Sequence, residues 1–402
     1  MKQYSWPEDH WGWPVELTHQ HGVLDNDLLF TGGQADLDKN GRVNNADLLE
    51  PQVQNVIRSV EKILHDLSAS MSDIVRWVVY FVGNAEDEAL ILSALNRATP
   101  ANCQPSVSTV CLPELCYPGM RIELEAVAWC PPQGQAPQCA RGDNLPMLPE
   151  GFSHAVRCDN LIFTSDCSAI TPTGQVHEPN NLIAQTQLTM DCLENTLALV
   201  EASLDDVLKI NVFYEGDGTA ENWSEPALIR ANRFNDPGPA ATGITVDRFA
   251  MPGLMTKLAV TAGISRSTNP VDYAWPEGHW DWTEKLPYKH GNRFGNLIHL
   301  GGQVALDQNA EVLHPDDMVA QTRIAMHNIK TVLAEFGASL DDVVKVTTFY
   351  QGSASADALH ENLLIRSGSY NTPGPATSGI PVTHLVYQRM VIEIEVIAML
   401  EL

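Results

Sequence analysis

The sequence has few basic residues: 24 Lys and Arg stand against 50 Asp and Glu among 402 residues, a formal charge of -26. Phosphate backbones and anionic lipid surfaces repel such a chain, so we expect neither a nucleic-acid nor a membrane partner. Apolar runs such as ALILSAL are too short to span a bilayer, and the N-terminus MKQYSWPEDH has no apolar stretch typical of a signal peptide. We therefore expect a cytoplasmic protein.

Paired cysteine motifs are also missing. The eight cysteines lie between Cys103 and Cys192 without a C-x-x-C pair, whereas zinc sites and disulfide frameworks show closer or more regular spacing. We therefore expect reduced thiols, no metal and no cofactor. A metal site formed by histidines of the two tryptophan-rich segments described next is the alternative, although their spacing is not a ligand signature.

What the sequence does contain is an internal repeat. The octapeptides WPEDHWGW (6–13) and WPEGHWDW (275–282) are nearly identical, and LLFTGGQADLD (28–38) matches LIHLGGQVALD (297–307). LIFTSDCSAIT (161–171) is a third, more divergent version of the second motif. Without gaps, further residues coincide in all three copies: Gln52, Gln185 and Gln321; Leu64, Leu197 and Leu333; Ser70, Ser203 and Ser339; Gly83, Gly216 and Gly352. Such a match predicts a triplicated protein.

Each copy shows the same succession of patterns. A short apolar segment ends in glycines, as strands do, and apolar residues then recur at helical spacing in stretches such as VAQTRIAMHNIKTVLAEFG. A β-branched stretch, a second helix and an alternating segment such as VIEIEVIAM follow. The order β-β-α-β-α-β predicts an α+β fold with helices on one face of each sheet.

Changes in composition suggest where the copies begin and end. Copy one takes residues 1–130, including a tryptophan-rich N-terminal extension, and a linker rich in Pro, Gly and Gln occupies 131–148. Copy two takes 149–266 and is the most divergent. Copy three takes 267–402, begins at the separator STNP (267–270) and carries a second tryptophan-rich extension.

The repeated motifs resemble those of the RidA family, also called YjgF or UK114. The segments that carry the resemblance are GGQ-x-x-LD, ASLDDVVKVTTFY, PGPATSG and VIEIEVIAM, and it extends over all three copies. Members of that family form homotrimers with ligand clefts between neighbouring subunits. The resemblance implies three tandem RidA-like domains of chorismate-mutase-like fold, arranged as a pseudo-trimer in one chain that could pair further into a homodimer. Triplicate folds of related shape also occur in chorismatases and cyanuric acid hydrolases, without a motif match here.

The sequence departs from the family at one important position. The resemblance implies that deaminases of the family hold the substrate carboxylate with an arginine, whose planar guanidinium suits that group. The corresponding residues here are Val107, Ala241 and Thr377. A displaced cation for an anionic substrate is predicted instead on the second helix, where Arg97 and Arg366 coincide with Arg230. A structural ion pair is the alternative role for these arginines.

Four residues are predicted to be catalytic. The family's glutamate on the last strand corresponds to Glu123 and Glu393, but to Lys257 in copy two. In a closed cleft, burial would raise the pKa of such a carboxyl group and suit it to general acid–base work; a solvated strand-face acid is the alternative. His21 and His290 recur just before the GGQ strand, and imidazole suits proton transfer near neutral pH.

The tryptophan-rich segments are predicted to line two of the clefts. Trp11 and Trp280 would form an aromatic wall against a flat substrate, or else cover a sheet edge. Further predicted substrate-binding residues are His10, His279 and Tyr288, the last of which falls on the family's cleft tyrosine.

The sequence therefore predicts an enzyme that acts on a small polar or aromatic molecule in an intercopy cleft. The expected reaction is hydrolysis or deamination of an enamine, imine or related C–N bond, with Glu and His handling protons. Two other interpretations remain open: a non-catalytic binding or scavenging protein that kept the clefts, and an interaction scaffold that uses the tryptophans as an adhesive patch.

Overall fold

The computed structural model describes residues 2–132, 134–264, 270–352 and 357–401. In these ranges each copy forms a mixed sheet with its helices packed on one face. The predicted boundary at 266 and residues 267–269 of the predicted separator lie outside the described residues. No helix in the described ranges is long and apolar enough to cross a membrane.

Copy one starts with an edge strand supplied by its tryptophan-rich extension. Its sheet has the order β1-β2-β3-β6-β4-β5, in which β4 and β5 are parallel and the other pairs antiparallel. The elements are β1 (Gln3–Ser5), β2 (Gly22–Asp25), β3 (Leu28–Thr31), α1 (Leu49–Asp66), β4 (Ile74–Phe81), α2 (Ala85–Ala98), β5 (Ser106–Cys111) and β6 (Ile122–Trp129).

Copies two and three repeat this plan. Copy two consists of β7 (Gln138–Ala140), β8 (Ala155–Cys158), β9 (Leu161–Thr164), β10 (Cys167–Ser168), α3 (Leu182–Ala198), β11 (Val207–Glu215), α4 (Ala220–Ala231), β12 (Ala240–Val246) and β13 (Thr256–Gly263). Copy three consists of β14 (Val271–Ala274), β15 (Gly291–Phe294), β16 (Leu297–Leu300), α5 (Met318–Glu335), β17 (Val343–Gln351), α6 (Asp357–Ser367), β18 (Ala376–Val382) and β19 (Ile392–Met399).

The predicted α+β class and tandem arrangement are confirmed, but each copy has more strands than the predicted order. A strand follows the second helix and pairs in parallel with its neighbour, as β5 does with β4. A further edge strand precedes the first predicted one, and in copy two this strand, β7, lies inside the predicted linker and pairs with β8. The edge strands are only three or four residues long, and the strands after the second helix take their register from partners distant in sequence.

The two faces of each sheet pack against different neighbours. On β4, Trp77 and Val79 belong to the core beneath the helices, whereas Arg76, Val78 and Tyr80 alternate with them and face the centre of the molecule. The opposite faces of the three sheets meet there, where Phe30, Phe163 and Leu297 share one apolar cluster. Each copy is therefore buried on both sides of its sheet.

Equivalent backbone hydrogen bonds close the three copies into a ring. The Gly33 amide donates to the Thr377 carbonyl at 3.0 Å, Asp166 to Val107 at 3.1 Å, and Gly302 to Ala241 at 3.0 Å. Each bond joins the loop after the first sheet hairpin of one copy to the strand after the second helix of its neighbour. The chain thus forms a pseudo-trimer with three intercopy clefts, each centred on one of these contacts.

Candidate active site

The tryptophan-rich segment of copy three folds into a compact aromatic box on the GGQ loop. The side-chain carbonyl of Gln303 accepts from His279 Nε2 at 2.9 Å and from Trp280 Nε1 at 3.2 Å. His290 donates from Nε2 to the Trp280 carbonyl at 2.9 Å. Its ring stacks on Trp282 with centroids 5.5 Å apart and planes 12° apart. One glutamine and one buried imidazole therefore hold the whole octapeptide.

Copy one builds the same box with the corresponding residues. Gln34 accepts from His10 at 2.8 Å and from Trp11 at 3.0 Å, and His21 donates to the Trp11 carbonyl at 3.0 Å. Trp13 stacks on the His21 ring with planes 5° apart. The recurrence of the octapeptide thus reflects a repeated structural unit.

This geometry corrects the expectation that the histidines line the clefts. His21 and His290 lie behind the tryptophans, and His10 and His279 are occupied by the glutamine carbonyls. Burial, reinforced by the neighbouring His279, lowers the pKa of His290 to about 3. Burial likewise lowers the pKa of His21 well below its ordinary value. These imidazoles are neutral at physiological pH, and among the described residues no hydrogen bond joins them to Glu123 or Glu393.

Tryptophans of the octapeptides line two of the clefts. The cleft between copies two and three is the larger of these two, with about 670 Å³ of empty space. Trp280, Trp282 and Tyr288 of copy three line one side. Trp223 of α4 reaches it from copy two and meets Tyr387 edge to face, with ring centroids 5.6 Å apart. We call this space the 2/3 cleft; it brings together three of the predicted residues, Trp280, Tyr288 and Glu393.

Glu393 lies on β19 in the wall of the 2/3 cleft, where a glycine makes room for it. A Cβ built on Gly302 would lie 1.8 Å from Glu393 Oε1, so a side chain there would displace the carboxyl group. Burial raises the pKa of Glu393 to about 8, while the nearby Lys209 opposes the shift and Glu395 adds to it. At neutral pH this carboxyl group therefore holds a proton that it can donate.

Several residues that line the 2/3 cleft carry buried polar atoms with no hydrogen-bond partner among the described residues. They are Arg230 Nη1, the hydroxyls of Tyr214 and Tyr288, and Trp223 Nε1; the Tyr288 hydroxyl and the Arg230 guanidinium lie close enough to interact with each other. Buried donors are normally satisfied, since each unpaired one costs about 1–3 kcal/mol. Ala241, at the position of the family arginine, leaves the space beside Arg230 open. A ligand with an anionic or hydrogen-bonding group would satisfy this set.

The cleft between copies one and three, the 1/3 cleft, is smaller, with about 360 Å³ of empty space. Trp11 and Glu123 line it as predicted, and burial with help from Glu125 raises the pKa of Glu123 to about 8. Arg366, however, is fully buried and paired through Nε and Nη1, while its Nη2 has no partner among the described residues. It donates to Asn362 Oδ1 at 2.9 Å and to Thr377 Oγ1 at 3.0 Å. The predicted cation of this cleft is thus partly used by the protein itself.

The cleft between copies one and two is filled by the protein's own charges. Lys257 Nζ lies 3.2 Å from Glu88 Oε1, 3.7 Å from Asp166 Oδ2 and 2.8 Å from Thr109 Oγ1. Asp166 also accepts the Thr109 amide at 2.9 Å. Arg97, which was expected to bind substrate, lies exposed on α2 and donates to Ser93 one turn away. Its solvent-facing position removes it from every cleft described here.

Sequence comparison places this geometry in a family. A family model described as Endoribonuclease L-PSP matches residues 15–130, 145–263 and 283–400. The chain therefore belongs to this family, the RidA family indicated by its motifs. It is 33% identical over 122 residues to a RutC family protein of Pyrococcus abyssi, covering 29% of this chain and 93% of the relative. It is 33% identical over 116 residues to the 2-iminobutanoate/2-iminopropanoate deaminase of Escherichia coli, covering 28% of this chain and 86% of that enzyme.

A solved structure shares the triplicate fold. The crystal structure of a chorismatase superimposes with a TM-score of 0.56, covering 81% of this chain and 93% of that one at 11% identity. At this identity the similarity concerns the fold alone.

Arg230 and Trp223 in the 2/3 cleft, and Gln303 in the adjacent aromatic box, have roles that the sequence did not predict. Arg230 aligns with Arg97 and Arg366 in the repeat. Their different roles become visible only in the structure, because each role depends on the side chains that surround the arginine. Trp223 replaces Leu359 of copy three on the second helix, a difference visible in the repeat alignment. Gln303 is the last residue of the GGQ motif, but only the folded structure shows that its side-chain carbonyl accepts from both His279 and Trp280.

Proposed function

We propose that the protein is an enzyme that hydrolyses the C–N bond of a small imine or enamine in the 2/3 cleft. One observation carries the proposal: Glu393, whose pKa burial raises to about 8, lines the same cavity as Arg230, whose Nη1 has no hydrogen-bond partner among the described residues. Deaminases among the relatives, such as that of Escherichia coli, support this reaction class. The role of Arg230 makes an anionic substrate, such as a 2-imino acid, the best match.

The chemistry asks little of the protein beyond one proton donor and one anion site. Protonated Glu393 would donate its proton to the substrate nitrogen, and the carboxylate so formed would accept a proton from the attacking water. Water adds to the C=N carbon, the C–N bond breaks, and an imine plus water becomes a carbonyl compound plus ammonia. Arg230 would hold the substrate carboxylate in place of the family arginine, from α4 rather than from β12.

The aromatic side chains define the shape of the substrate. Trp280, Trp282 and Tyr387 of copy three line the cleft, and Trp223 of copy two meets Tyr387 edge to face. Flat unsaturated groups stack well on such rings and gain about 0.5–1.5 kcal/mol beyond simple burial. We therefore expect imines or enamines that carry an aromatic or extended planar group to be preferred over the smallest aliphatic ones.

A binding or scavenging protein without catalysis is the second candidate. The replacement of the family arginine by Val107, Ala241 and Thr377 favours it, because the usual carboxylate anchor is absent from all three copies. Both candidates predict that Arg230→Met weakens ligand binding. They differ at Glu393→Gln, which abolishes turnover in an enzyme and leaves binding intact in a scavenger.

The test generates imino acids in place. An amino-acid oxidase converts aliphatic or aromatic amino acids into 2-imino acids in the presence of catalase, and added protein should accelerate release of ammonia above the spontaneous rate. Arg230→Met should raise KM at least tenfold, while Arg97→Met, the equivalent change on the exposed helix face, should leave kinetics unchanged. No acceleration with any imino acid, together with saturable binding of the 2-oxo acids, would favour the scavenger.

A further inference from the structure

The three sheets enclose a second cavity, distinct from the clefts, on the pseudo-threefold axis. Side chains from all three copies line this axial chamber. Leu28, Leu161 and Leu297, which occupy equivalent positions in the three copies, lie in its wall. Apolar residues dominate the rest of the lining, apart from a central belt of charged side chains.

At two of the three equivalent positions in that belt, a buried ion pair joins neighbouring copies. Lys345 Nζ lies 3.0 Å from Glu125 Oε1, and Lys209 Nζ lies 2.8 Å from Glu395 Oε2. Lys345 also donates to the Thr31 carbonyl at 3.0 Å and to Ser378 Oγ at 2.7 Å, and Lys209 donates to Thr242 Oγ1. Both lysines are therefore satisfied by the protein.

At the third equivalent position the carboxylate is missing. Arg76 of copy one occupies the position of Lys209 and Lys345, but the residue of copy two that corresponds to Glu125 and Glu395 is Ala259. All of these residues line the chamber. The symmetry of the ring is thus broken at one point, where a buried cation faces a methyl group.

Arg76 has no counter-ion in direct contact among the described residues. Its side chain is 9% exposed, its single hydrogen bond in the described ranges is a long one of 3.4 Å to Ser108 Oγ, and its Nε has no partner there. The described residues place no carboxylate within 4 Å of it. Asp166, Glu125 and Glu395 line the same chamber and attract Arg76 from a greater distance, but Asp166 is also bound by the Thr109 amide and Lys257, and the two glutamates are paired with lysines. A buried charge without a partner is strongly unfavourable, which leaves room for an external anion.

We propose that the axial chamber binds a small anion whose negative group pairs with Arg76. The guanidinium suits a carboxylate, and the apolar walls suit an organic body attached to it. Inorganic anions share the charge but gain nothing from those walls. The proposed site is independent of the catalytic proposal, because the chamber and the 2/3 cleft are lined by different side chains.

Crystals grown with 4-bromobenzoate or with sodium bromide locate the anion by the anomalous signal of bromine. An organic ligand predicts a bromobenzoate peak in the chamber with its carboxylate on Arg76, and bromide alone at that position assigns the site to inorganic anions. Both results support an anion site. Peaks confined to the clefts or the outer surface, or none at all, would overturn the proposal.

Calorimetric titration with benzoate provides matched variants. Ala259→Glu introduces the carboxylate that the other two copies have at this position, so the variant should fold. It should raise the Kd for benzoate in the chamber at least tenfold. Arg76→Met should do the same, whereas Arg230→Met, which acts in the 2/3 cleft, should leave chamber binding unchanged. Benzoate affinity at the chamber that is unaffected by both Ala259→Glu and Arg76→Met would contradict the assignment.

Discussion

Lys257 and Asp166 lie 3.7 Å apart in the cleft between copies one and two, where the other two copies have a glutamate and a glycine. The two changes belong together. A side chain at the glycine position would collide with the glutamate, as the 1.8 Å approach of a Cβ on Gly33 to Glu123 demonstrates. Copy two avoids the collision by replacing the pair with opposite charges, which fill its cleft.

The first prediction concerns that pair. Lys257→Glu should lower the free energy of unfolding by about 3 kcal/mol, because Glu88 and Asp166 would lose a buried cation and face a third carboxyl group. The double change Asp166→Gly/Lys257→Glu should be less destabilising than Lys257→Glu alone. Urea unfolding at pH 7 measures both, and strictly additive effects would show that the two positions are not coupled.

The second prediction concerns Gly302. Gly302→Ala should displace the Glu393 carboxyl group and lower kcat/KM at least tenfold, with a loss of about 1–3 kcal/mol in stability from overpacking. Gly33→Ala is the matched change beside Glu123 and should cost similar stability with little effect on turnover. Equal losses of activity in both variants would mean that the 1/3 cleft contributes equally to catalysis.

A third prediction separates structural from catalytic histidine. His290→Phe keeps an aromatic ring inside the box but removes the donor to Trp280, so the melting temperature should fall while kcat stays within about threefold of the wild type. A general base at this position would be worth about 100-fold or more. Gln303→Ala is the control for box stability, since it leaves the His279 and Trp280 donors without their acceptor and should cost about 1–3 kcal/mol.

The raised pKa of Glu393 predicts a pH-dependent stability. Folded Glu393 keeps its proton up to a pKa of about 8, whereas the unfolded chain releases it near the ordinary value of 4.5. The contribution of this proton is therefore fully present below pH 4.5 and is lost as the pH rises to about 8, by at most about 1.4 kcal/mol per pH unit. Glutamine cannot ionise, so Glu393→Gln should gain stability relative to the wild type across this window.

Denaturant titrations of both proteins at pH 5, 7 and 9 check this expectation. The difference between variant and wild type should grow from pH 5 to about 8 and then level off. A difference that does not change with pH would indicate that Glu393 ionises in the folded protein as it does in the unfolded chain.

Most of what could be predicted from the sequence came from aligning its three copies with one another and with the family motifs. The family resemblance located Glu123 and Glu393 on the last strand and implied the clefts in which we expected them, and the repeated octapeptide located Trp11 and Trp280 in the extension. The histidines were misplaced for a physical reason. A histidine next to a glycine loop is equally compatible with a cleft and with a box, and the choice depends on Gln34 and Gln303, whose acceptor role appears only when the loop is folded.

The three arginines show a second limit of sequence reasoning. Arg97, Arg230 and Arg366 occupy one position of the repeat, yet one faces solvent, one faces an open cleft and one is held by Thr377 and Asn362. The partners differ between the copies: Arg97 bonds Ser93 on its own helix, and Arg366 bonds Asn362 on its own helix and Thr377 on β18. Fusion of the copies permits this divergence, because each cleft changes without altering the other two.

The most direct test of the account compares turnover of one imino acid by Glu393→Gln and Glu123→Gln under identical conditions. A catalytic 2/3 cleft predicts that Glu393→Gln lowers kcat by about 100- to 10,000-fold while Glu123→Gln retains most of the activity. Full activity in Glu393→Gln, or a loss confined to Glu123→Gln, would contradict the assignment of the active site to the cleft between copies two and three.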